Sequence, residues 1–483
     1  MSRLGILTSV KKPVRSISGV IVVAVMTHPY PCPHGKCIYC PGGVSWGTPQ
    51  SYVEKSPAVL RARRYNFDPY EQVRARLMQY MAMGHKPSKV ELIIMGGTFP
   101  AMPLDYQEWF VTQCLEAMNR FPAKKPKCWI SLEEAQKRNE RAIVRCIGLT
   151  IETRPDWAKS RHVDMFLKLG ATRIEIGVQT IYDDILKKVK RGHTVEDTIA
   201  ATQILKDAGY KVCYHIMPGL PGADPDKDLE MFKTIFEDQR FRPDMLKIYP
   251  TLVIPGTKLY EMWKRGEYSP YSDDILIKLI SKMKSMVPEY VRIMRIQRDI
   301  PVNYIVAGPR IGNLREVVQR YMKKKGIRCR CIRCREIGHF ILKTKRFISE
   351  DEVTVIRKRL TYEASYGIEI FLSLVIKELD LLIGFLRLRV PSAAAHRREV
   401  NERTAIIREL HIYGLQIPVG HSSSWWQHKG YGRKLMWWAE RIAQEEFDIK
   451  RMLVISGIGV REYYRKLGYK KFRNSFYMVK NLS

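Results

Sequence analysis

Short apolar runs alternate with longer amphipathic stretches between about residues 20 and 306. Four of the runs have the length and composition of buried strands, and each precedes a helical segment: 90–95, 147–151, 173–178 and 211–217. Repeated strand–helix units predict a parallel sheet, curled into a complete or partial barrel. In such barrels the loops that follow the strands carry the working residues, and the informative residues of this chain lie at those positions.

Three cysteines near the N-terminus, Cys32, Cys37 and Cys40, have the spacing C-x4-C-x2-C. Three thiolates this close together suit an iron–sulfur cluster in which one iron has no protein ligand. A structural zinc site is the alternative, but it normally takes four ligands, and His34 is the only further donor nearby. The spacing therefore favours a cluster, whose open iron would be the source of the chemistry.

The charge balance indicates a nucleic-acid partner. The chain has 82 Lys and Arg against 49 Asp and Glu, a formal charge of +33, which suits a phosphate backbone. Ion-pair networks of the kind found in thermophilic proteins are another source of basic surfaces, but they need about as many acidic as basic residues, which this chain lacks. A signal peptide and a long apolar span are not evident, so we predict a soluble cytoplasmic protein without a membrane partner. Ten cysteines, six of them in two tight clusters, fit metal ligation in a reducing compartment.

The second cluster comprises Cys329, Cys331 and Cys334, within a stretch from 323 to 346 that holds ten Lys and Arg and one acid. We predict an interdomain linker that is too polar to pack a core. The spacing suits zinc, with His339 or a distant residue as the fourth ligand, although a second iron–sulfur cluster and free thiols are also open. The arginines would be either a phosphate-contacting ridge or a solvated charge run.

From about residue 351 the pattern becomes antiparallel, with strands predicted at 368–378, 381–390 and 405–413. The segment Gln427-x-x-Gly430-Tyr431-Gly432 then opens an amphipathic helix over 433–446. Backbone N–H groups at the start of such a helix can cradle a pyrophosphate. A strand at 452–456 and a helix at 460–469 follow, and Tyr463 and Tyr464 on this helix are either core aromatics or site residues.

A glycine motif, Gly96-Gly97-Thr98, follows the first of the four strands. Alone it would be an ordinary tight turn, but with the cysteine triplet it resembles the radical S-adenosylmethionine (radical SAM) superfamily. There the motif holds the methionine amine, and the open iron takes the amine and carboxylate. Three residues resemble further cofactor contacts of coproporphyrinogen-oxidase-like members, although each could instead cap a helix or form a salt bridge: Glu152, Gln179 and Arg191.

The order of elements after residue 351 resembles the GCN5-related N-acetyltransferases (GNAT). In that family the pyrophosphate belongs to coenzyme A, the preceding strand offers backbone groups to pantetheine, and a tyrosine on the late helix can protonate the departing thiolate. The whole chain resembles the Elongator catalytic-subunit family in its archaeal form, over the runs 32–43, 152–156, 215–222, 408–414 and 463–469.

This resemblance implies an α/β fold, a partial (β/α) radical SAM barrel followed by a GNAT α+β domain, with domains at 1–320, 321–350 (the zinc linker) and 351–483. It implies Lys137 and a tyrosine, Tyr463 or Tyr464, as catalytic residues. Acetyl-coenzyme A contacts are expected at Lys137, Glu409, Leu410, His411, Ile412, Gln427, Gly430, Tyr431, Gly432, Arg433 and Tyr464. The family usually carries a basic N-terminal segment that helps to hold RNA, so we expect reduced RNA affinity from a chain that starts close to the radical domain.

The implied activity is the conversion of the wobble uridine of transfer RNA to 5-carboxymethyluridine. A radical from S-adenosylmethionine would take hydrogen from the acetyl methyl group, and the resulting carbon radical would add to uridine C5. Loss of an electron and a proton would restore the ring, and water would cleave the thioester. The implied partners are the anticodon stem-loop of transfer RNA, a second copy of the chain, and other Elongator subunits. A protein lysine acetyltransferase with a structural radical domain and a transfer-RNA-binding scaffold are the rival interpretations.

Overall fold

The computed structural model describes residues 19–125, 130–346, 348–414, 426, 429–472 and 475–482. Within them the first sheet has seven strands in the order β1 to β7, and every neighbouring pair is parallel. The strands are β1 (Val20–Met26), β2 (Lys89–Met95), β3 (Arg145–Thr153), β4 (Arg173–Gln179), β5 (Lys211–Ile216), β6 (Met245–Ile248) and β7 (Arg292–Ile296). The four strands predicted from the apolar runs are present, with ends that shift by no more than two residues.

Helices cover this sheet and connect its strands. They are α1 (Pro57–Arg64), α2 (Pro69–Ala82), α3 (Leu104–Asn119), α4 (Leu132–Asn139), α5 (Ser160–Leu169), α6 (Asp183–Lys188), α7 (Val195–Asp207), α8 (Pro225–Glu237), α9 (Lys258–Lys264), α10 (Asp273–Ser285), α11 (Leu314–Lys324), α12 (Ile332–Arg335) and α13 (Ile337–Thr344). Every residue of β4 is buried, as expected for a parallel strand with both faces covered. Local sequence sets the helix starts: the side chains of Asp68 and Thr194 accept backbone N–H groups at the beginnings of α2 and α7.

The second sheet also has seven strands among the described residues, in the order β13-β14-β12-β11-β10-β9-β8. Only β11 and β12 are parallel. Its elements are β8 (Val355–Ala364), β9 (Gly367–Ile376), β10 (Leu381–Val390), β11 (Thr404–Ile412), α14 (Tyr431–Phe447), β12 (Arg451–Val454), α15 (Arg461–Arg465), β13 (Lys470–Lys471) and β14 (Met478–Asn481). The helix predicted at 460–469 is shorter than expected, because a 3-10 turn occupies 458–460 and the helix ends at Arg465.

The prediction that the basic stretch is too polar to pack a core is wrong. It forms the end of α11 and the helices α12 and α13, and Ile332, Ile337 and Ile341 lie in the main hydrophobic core. Cys331 is fully buried beside them. The charged residues of the stretch alternate with these apolar positions, so one face of each short helix packs inward while the other carries charge.

The two sheets meet at the amino ends of the barrel strands, through buried arginines of β10 and β11. Arg408 donates to Asp244 (2.6 Å), which directly precedes β6, and Arg389 donates to Asp207 (2.6 Å) at the end of α7. Both arginines also contact Glu369 on β9. Buried charges are tolerated only when they are paired, so these contacts fix how the two domains dock.

Candidate active site

The three N-terminal cysteines lie on the loop that follows β1, at the carboxyl end of the parallel sheet. Cys37 and Cys40 are buried, and Cys32 is half-buried. Among the described residues, two sets of three potential metal ligands have donor atoms within 4.8 Å of one another, and this triad is not one of them. Ligands that bind different iron atoms of a cluster need not converge as closely as ligands of a single ion, so the wider spacing agrees with the cluster interpretation.

Polar groups surround these sulfur atoms. Gln50 Nε2 donates to Cys40 Sγ (3.2 Å), and the hydroxyl groups of Ser51 and Thr98 lie 3.2 and 3.6 Å from Cys40 and Cys32. His34 Nε2 lies 3.2 Å from the sulfur of Cys37, and Arg191 Nη1 donates to the same atom at 3.8 Å. Burial, aided by nearby arginines, lowers the pKa of His34 to about 3, so its imidazole is neutral at pH 7. Such donors stabilise thiolates, the form that binds iron.

The glycine motif follows β2 and lies against the cysteine loop. Gly96 has φ +145°, and a Cβ atom at this position would collide with the Thr27 hydroxyl. A Cβ atom at Gly97 (φ +86°) would lie 3.7 Å from Cys32 Sγ and 3.3 Å from Gln50. Only glycine leaves this space open, so the structure keeps bare backbone next to the cysteine loop.

The three remaining predicted cofactor residues lie on the same cavity. Glu152 is near the end of β3, Gln179 ends β4 in a left-handed conformation (φ +71°), and Arg191 donates to the Gly177 carbonyl at 2.6 Å. The buried Oε1 atom of Gln179 has no hydrogen-bond partner among the described atoms. A non-glycine residue in this conformation with an unpaired buried oxygen suggests a ligand-binding position.

The cavity has a volume of about 350 Å³. The cysteines, Gly97, Thr98, Glu152, Gln179 and Arg191 line it together, as the strand-end argument predicted. Sequence reasoning missed other lining residues: Gln50, Ser51, Tyr52, Arg173, Glu175, His215, Lys247, Tyr249 and Arg298. His215 lies within one of the runs that resemble the Elongator family, 215–222, and this was the one available indication that it belongs to the site. Lys247 lies on β6, a strand that was not predicted from the sequence.

In the acetyltransferase-like domain, β11 extends past the end of its parallel partner β12. They pair from Thr404 to Ile407, and among the described strands none pairs with residues 408–412 on the β12 side. A register shift at Arg408 in the β10–β11 ladder marks the same point. The predicted contact residues follow this point: Glu409, Leu410, His411 and Ile412. On the β12 side, this part of β11 has no paired neighbour among the described strands. An acyl carrier can pair with such an open strand edge.

The start of α14 lies near Tyr463. Gly430 caps the helix in a left-handed conformation (φ +80°), Tyr431 is buried, and Arg433 is exposed. A Cβ atom at Gly432 would lie 2.7 Å from the Tyr463 hydroxyl. Tyr463 therefore faces the helix start, whereas Tyr464 is buried beside it, and burial raises the pKa of both phenols. Gln427 lies outside the described residues.

Lys137 is exposed on α4, a helix at the domain interface. Glu140, which directly follows this helix, accepts from Arg461 (2.9 Å) and Arg465 (2.7 Å) of the acetyltransferase-like domain. The structure thus places Lys137 on a helix where the two domains meet.

The second cysteine cluster has the geometry of a single-ion site. The sulfur atoms of Cys329, Cys331 and Cys334 lie within 4.8 Å of one another. His339 is not part of this group, because its Nε2 atom faces Glu336 at 3.9 Å. A cavity of about 790 Å³ adjoins Cys329 and Cys334, and five basic residues line it: Lys284, Arg320, Lys323, Arg328 and Lys343.

Across the described parts of the chain, none of the helices has both the length and the apolar character that crossing a bilayer requires.

Comparisons with known proteins agree with this architecture. Residues 26–235 match the radical SAM superfamily, residues 243–324 match the radical SAM C-terminal domain, and residues 348–469 match the GNAT acetyltransferase family. The tRNA uridine(34) acetyltransferase of Methanocaldococcus jannaschii is 56% identical over 466 residues, which is 95% of this chain and 84% of that protein. Elongator complex protein 3 of Saccharomyces cerevisiae is 45% identical over 472 residues, 95% of this chain and 83% of the yeast protein.

A solved structure of the archaeal protein from Methanocaldococcus infernus, with its N-terminus deleted, superimposes with a TM-score of 0.83 at 51% identity and covers 96% of this chain and 100% of that one. The predicted fold class, a partial radical SAM barrel followed by a GNAT domain, is confirmed. Membership of the radical SAM superfamily implies a 4Fe-4S cluster and S-adenosylmethionine. The chain belongs to the family of Elongator complex protein 3.

Proposed function

We propose that this enzyme converts the wobble uridine of transfer RNA to 5-carboxymethyluridine, using acetyl-coenzyme A and S-adenosylmethionine. The observation that carries the proposal is the cavity in which the cysteine loop, the glycine motif, Glu152, Gln179 and Arg191 converge. An acetyltransferase-like domain is docked on the opposite, amino end of the same barrel. The names of the relatives support the same substrate.

Cys32, Cys37 and Cys40 would hold the cluster, and Gly96, Gly97, Thr98, Glu152, Gln179 and Arg191 would hold S-adenosylmethionine. When bound, these groups supply a carbon radical that can remove hydrogen from a methyl group. The chain's own residues keep the cavity polar yet closed: Glu152 accepts from Tyr52 (3.0 Å) and from Lys247 (3.1 Å), and Arg298 donates to the Ser51 carbonyl (3.1 Å). These contacts fix the walls of the cavity before substrate enters.

Acetyl-coenzyme A would lie against residues 409–412, with its pyrophosphate at the start of α14 near Gly430, Gly432 and Arg433. Backbone N–H groups at a helix start and the exposed guanidinium suit a pyrophosphate. The Tyr463 hydroxyl lies beside Gly432 and would contact the carrier at its pyrophosphate end. Tyr464 is the candidate proton donor for the departing thiolate, because its ring is in edge contact with Tyr463 at 5.2 Å and, besides burial, Glu409 at the predicted acyl-carrier strand is close enough to raise the pKa of its phenol.

The function is tested by anaerobic incubation of reconstituted enzyme with reductant, S-adenosylmethionine, transfer RNA and acetyl-coenzyme A that carries labelled acetyl carbon. We expect label in 5-carboxymethyluridine by nucleoside mass spectrometry. Label on protein lysines without S-adenosylmethionine would favour the lysine acetyltransferase, and no turnover of either cofactor would favour a scaffold.

Lys137→Ala is expected to lower transfer-RNA-stimulated hydrolysis of acetyl-coenzyme A by at least about tenfold, because a cation at the domain interface would steer the acyl carrier. Thiol release measures the rate. Arg138→Ala, which alters the next residue on the same exposed face of α4, is the control and should retain the rate. An undiminished rate in Lys137→Ala would remove this residue from the site.

We propose zinc at Cys329, Cys331 and Cys334, a soft donor set whose close spacing suits a single tetrahedral ion. The double variant Cys329→Ser/Cys334→Ser should lose about one equivalent of zinc by elemental analysis and melt at a lower temperature, since the ion would stabilise this segment. Cys146→Ser, at a buried cysteine of β3, should keep the zinc. Equal zinc in both variants would contradict the assignment.

The basic cavity beside these cysteines would contact the transfer RNA backbone, because its lysines and arginines converge on one surface. Homodimerisation and assembly with other Elongator subunits stay predictions from the family.

A further inference from the structure

Three charged side chains on the cavity wall form one connected group: Arg173, Glu175 and Lys247. We call them the floor triad. Glu175 pairs in register with Glu152 of β3. Lys247 lies on β6, two strands away from β4 in the sheet. The floor triad therefore lies beside Glu152, one of the predicted cofactor residues.

Glu175 is fully buried between two cations, and His215 Nε2 lies 2.8 Å from its Oε2 atom. Its Oε2 atom is in contact with the Lys247 ammonium group, and its Oε1 atom lies 3.2 Å from Arg173 Nε. The neighbours hold this order in place, because Lys247 also donates to Glu152 and Arg173 also pairs with Glu91. Along the floor of the cavity the groups thus run donor, acceptor, donor.

The floor triad has unused hydrogen-bonding capacity. Among the described atoms, Nε and Nη2 of Arg173 and Oε1 of Glu175 are buried without a hydrogen-bond partner, since the facing Nε and Oε1 atoms are not aligned. An ammonium group has three N–H donors, so two carboxylate partners do not exhaust Lys247. Buried polar groups without partners are costly, and Arg173 is only 4% exposed. A ligand that offers acceptor, donor and acceptor in one plane would satisfy all three side chains.

A metal ion is the alternative occupant, because Glu175, Cys213 and His215 have ligand atoms within 4.8 Å of one another. However, Arg173 and Lys247 already neutralise the carboxylate, and both cations would repel a divalent ion at this distance. The arrangement therefore favours a neutral polar ligand.

We propose that the floor triad recognises the imide edge of uracil, an inference that rests on the proposed function. Uracil presents two carbonyl oxygens on either side of the N3–H group, which is the complement of donor, acceptor, donor. Lys247 and Arg173 donate to the carbonyl oxygens, and Glu175 accepts from N3–H. Cytosine would place an unprotonated nitrogen against the carboxylate, so the floor triad selects uracil.

The test uses the wild-type enzyme and three anticodon stem-loop RNAs that differ only at the wobble base: uridine, N3-methyluridine and cytidine. Equilibrium binding and product formation are measured separately. We expect about tenfold weaker binding for both altered bases, as for the loss of one bidentate base contact, and no carboxymethyl product from N3-methyluridine. Equal binding and equal conversion of N3-methyluridine would overturn the inference. No conversion of uridine itself would instead count against the proposed function.

The variant Glu175→Gln links the selectivity to the floor triad. The ratio of the binding constants for uridine and cytidine should fall to near one, because an amide can rotate to offer either a donor or an acceptor to N3. Glu116→Gln, a change at a buried ion-paired carboxylate of α3 outside the cavity, should keep the wild-type ratio. An unchanged ratio in Glu175→Gln would contradict the assignment, and the three-RNA comparison decides the matter if this variant does not fold.

Discussion

Cys37→Ser should abolish formation of 5-carboxymethyluridine, lowering the rate by more than roughly 100-fold. Mutation of a residue that only hydrogen-bonds to a metal ligand already lowers metal affinity or activity by about 10- to 100-fold, and Cys37 would be a ligand itself. Cys37 is buried, and both His34 and Arg191 contact its sulfur atom. Serine offers a hard oxygen that iron–sulfur clusters rarely accept in place of a thiolate. Iron content after anaerobic reconstitution and nucleoside mass spectrometry measure the effect.

The matched control for this change is Cys114→Ser, at a buried cysteine of α3 outside the cavity. It should retain both iron and product. Cys37→Ser protein with the full iron content and wild-type product would show that the N-terminal triad does not hold the cluster.

Asp244→Asn should lower the free energy of unfolding by about 3–5 kcal/mol, the typical cost of breaking a buried ion pair by removing one partner. Asp244 accepts from Arg408 (2.6 and 2.8 Å) and from the Val212 N–H (2.8 Å), and it is fully buried. The asparagine variant leaves Arg408 with one buried carboxylate partner, Glu369, instead of two at the domain interface. Denaturant titration measures the change.

Asp238→Asn is the control, because Asp238 pairs with Arg240 at the surface and such pairs contribute about 0–1 kcal/mol. Equal midpoints for the two variants would contradict the role of the buried network. Burial opposes ionisation of Asp244, but Arg408 and Lys206 outweigh it and hold its pKa well below the usual range. Its stabilising contribution is therefore present above about pH 4, the unfolded value, and is lost only as the pH falls toward the folded pKa.

The barrel strands could be predicted from sequence because they are short apolar runs buried on both faces, as β4 illustrates. The positions of Gly97, Glu152 and Gln179 followed from the rule that strand ends meet at one edge of a parallel sheet. The prediction that the linker is too polar to pack a core failed because it rested on the number of charges in the segment. The position of the apolar residues among those charges is what buries Ile332, Ile337 and Ile341.

The buried ion pairs could not be predicted from the sequence. Arg389 and Asp207 are 182 positions apart, and Arg408 and Asp244 are 164 apart, so only the docked domains bring them together. The floor triad was hidden for a related reason. Glu175 and Lys247 are charged residues within strands, a pattern that usually indicates an exposed face. Only the pairing of β4, β5 and β6 in one sheet brings their side chains to the wall of the same cavity.

The link between the two chemistries is tested by incubating the reduced enzyme with S-adenosylmethionine, transfer RNA and acetyl-coenzyme A whose methyl group is fully deuterated. If the radical takes its hydrogen from the acetyl group, mass spectrometry will find deuterium in the 5′-deoxyadenosine that is released, together with deuterated carboxymethyluridine. Release of 5′-deoxyadenosine without deuterium, while the transfer RNA is modified, would contradict the account.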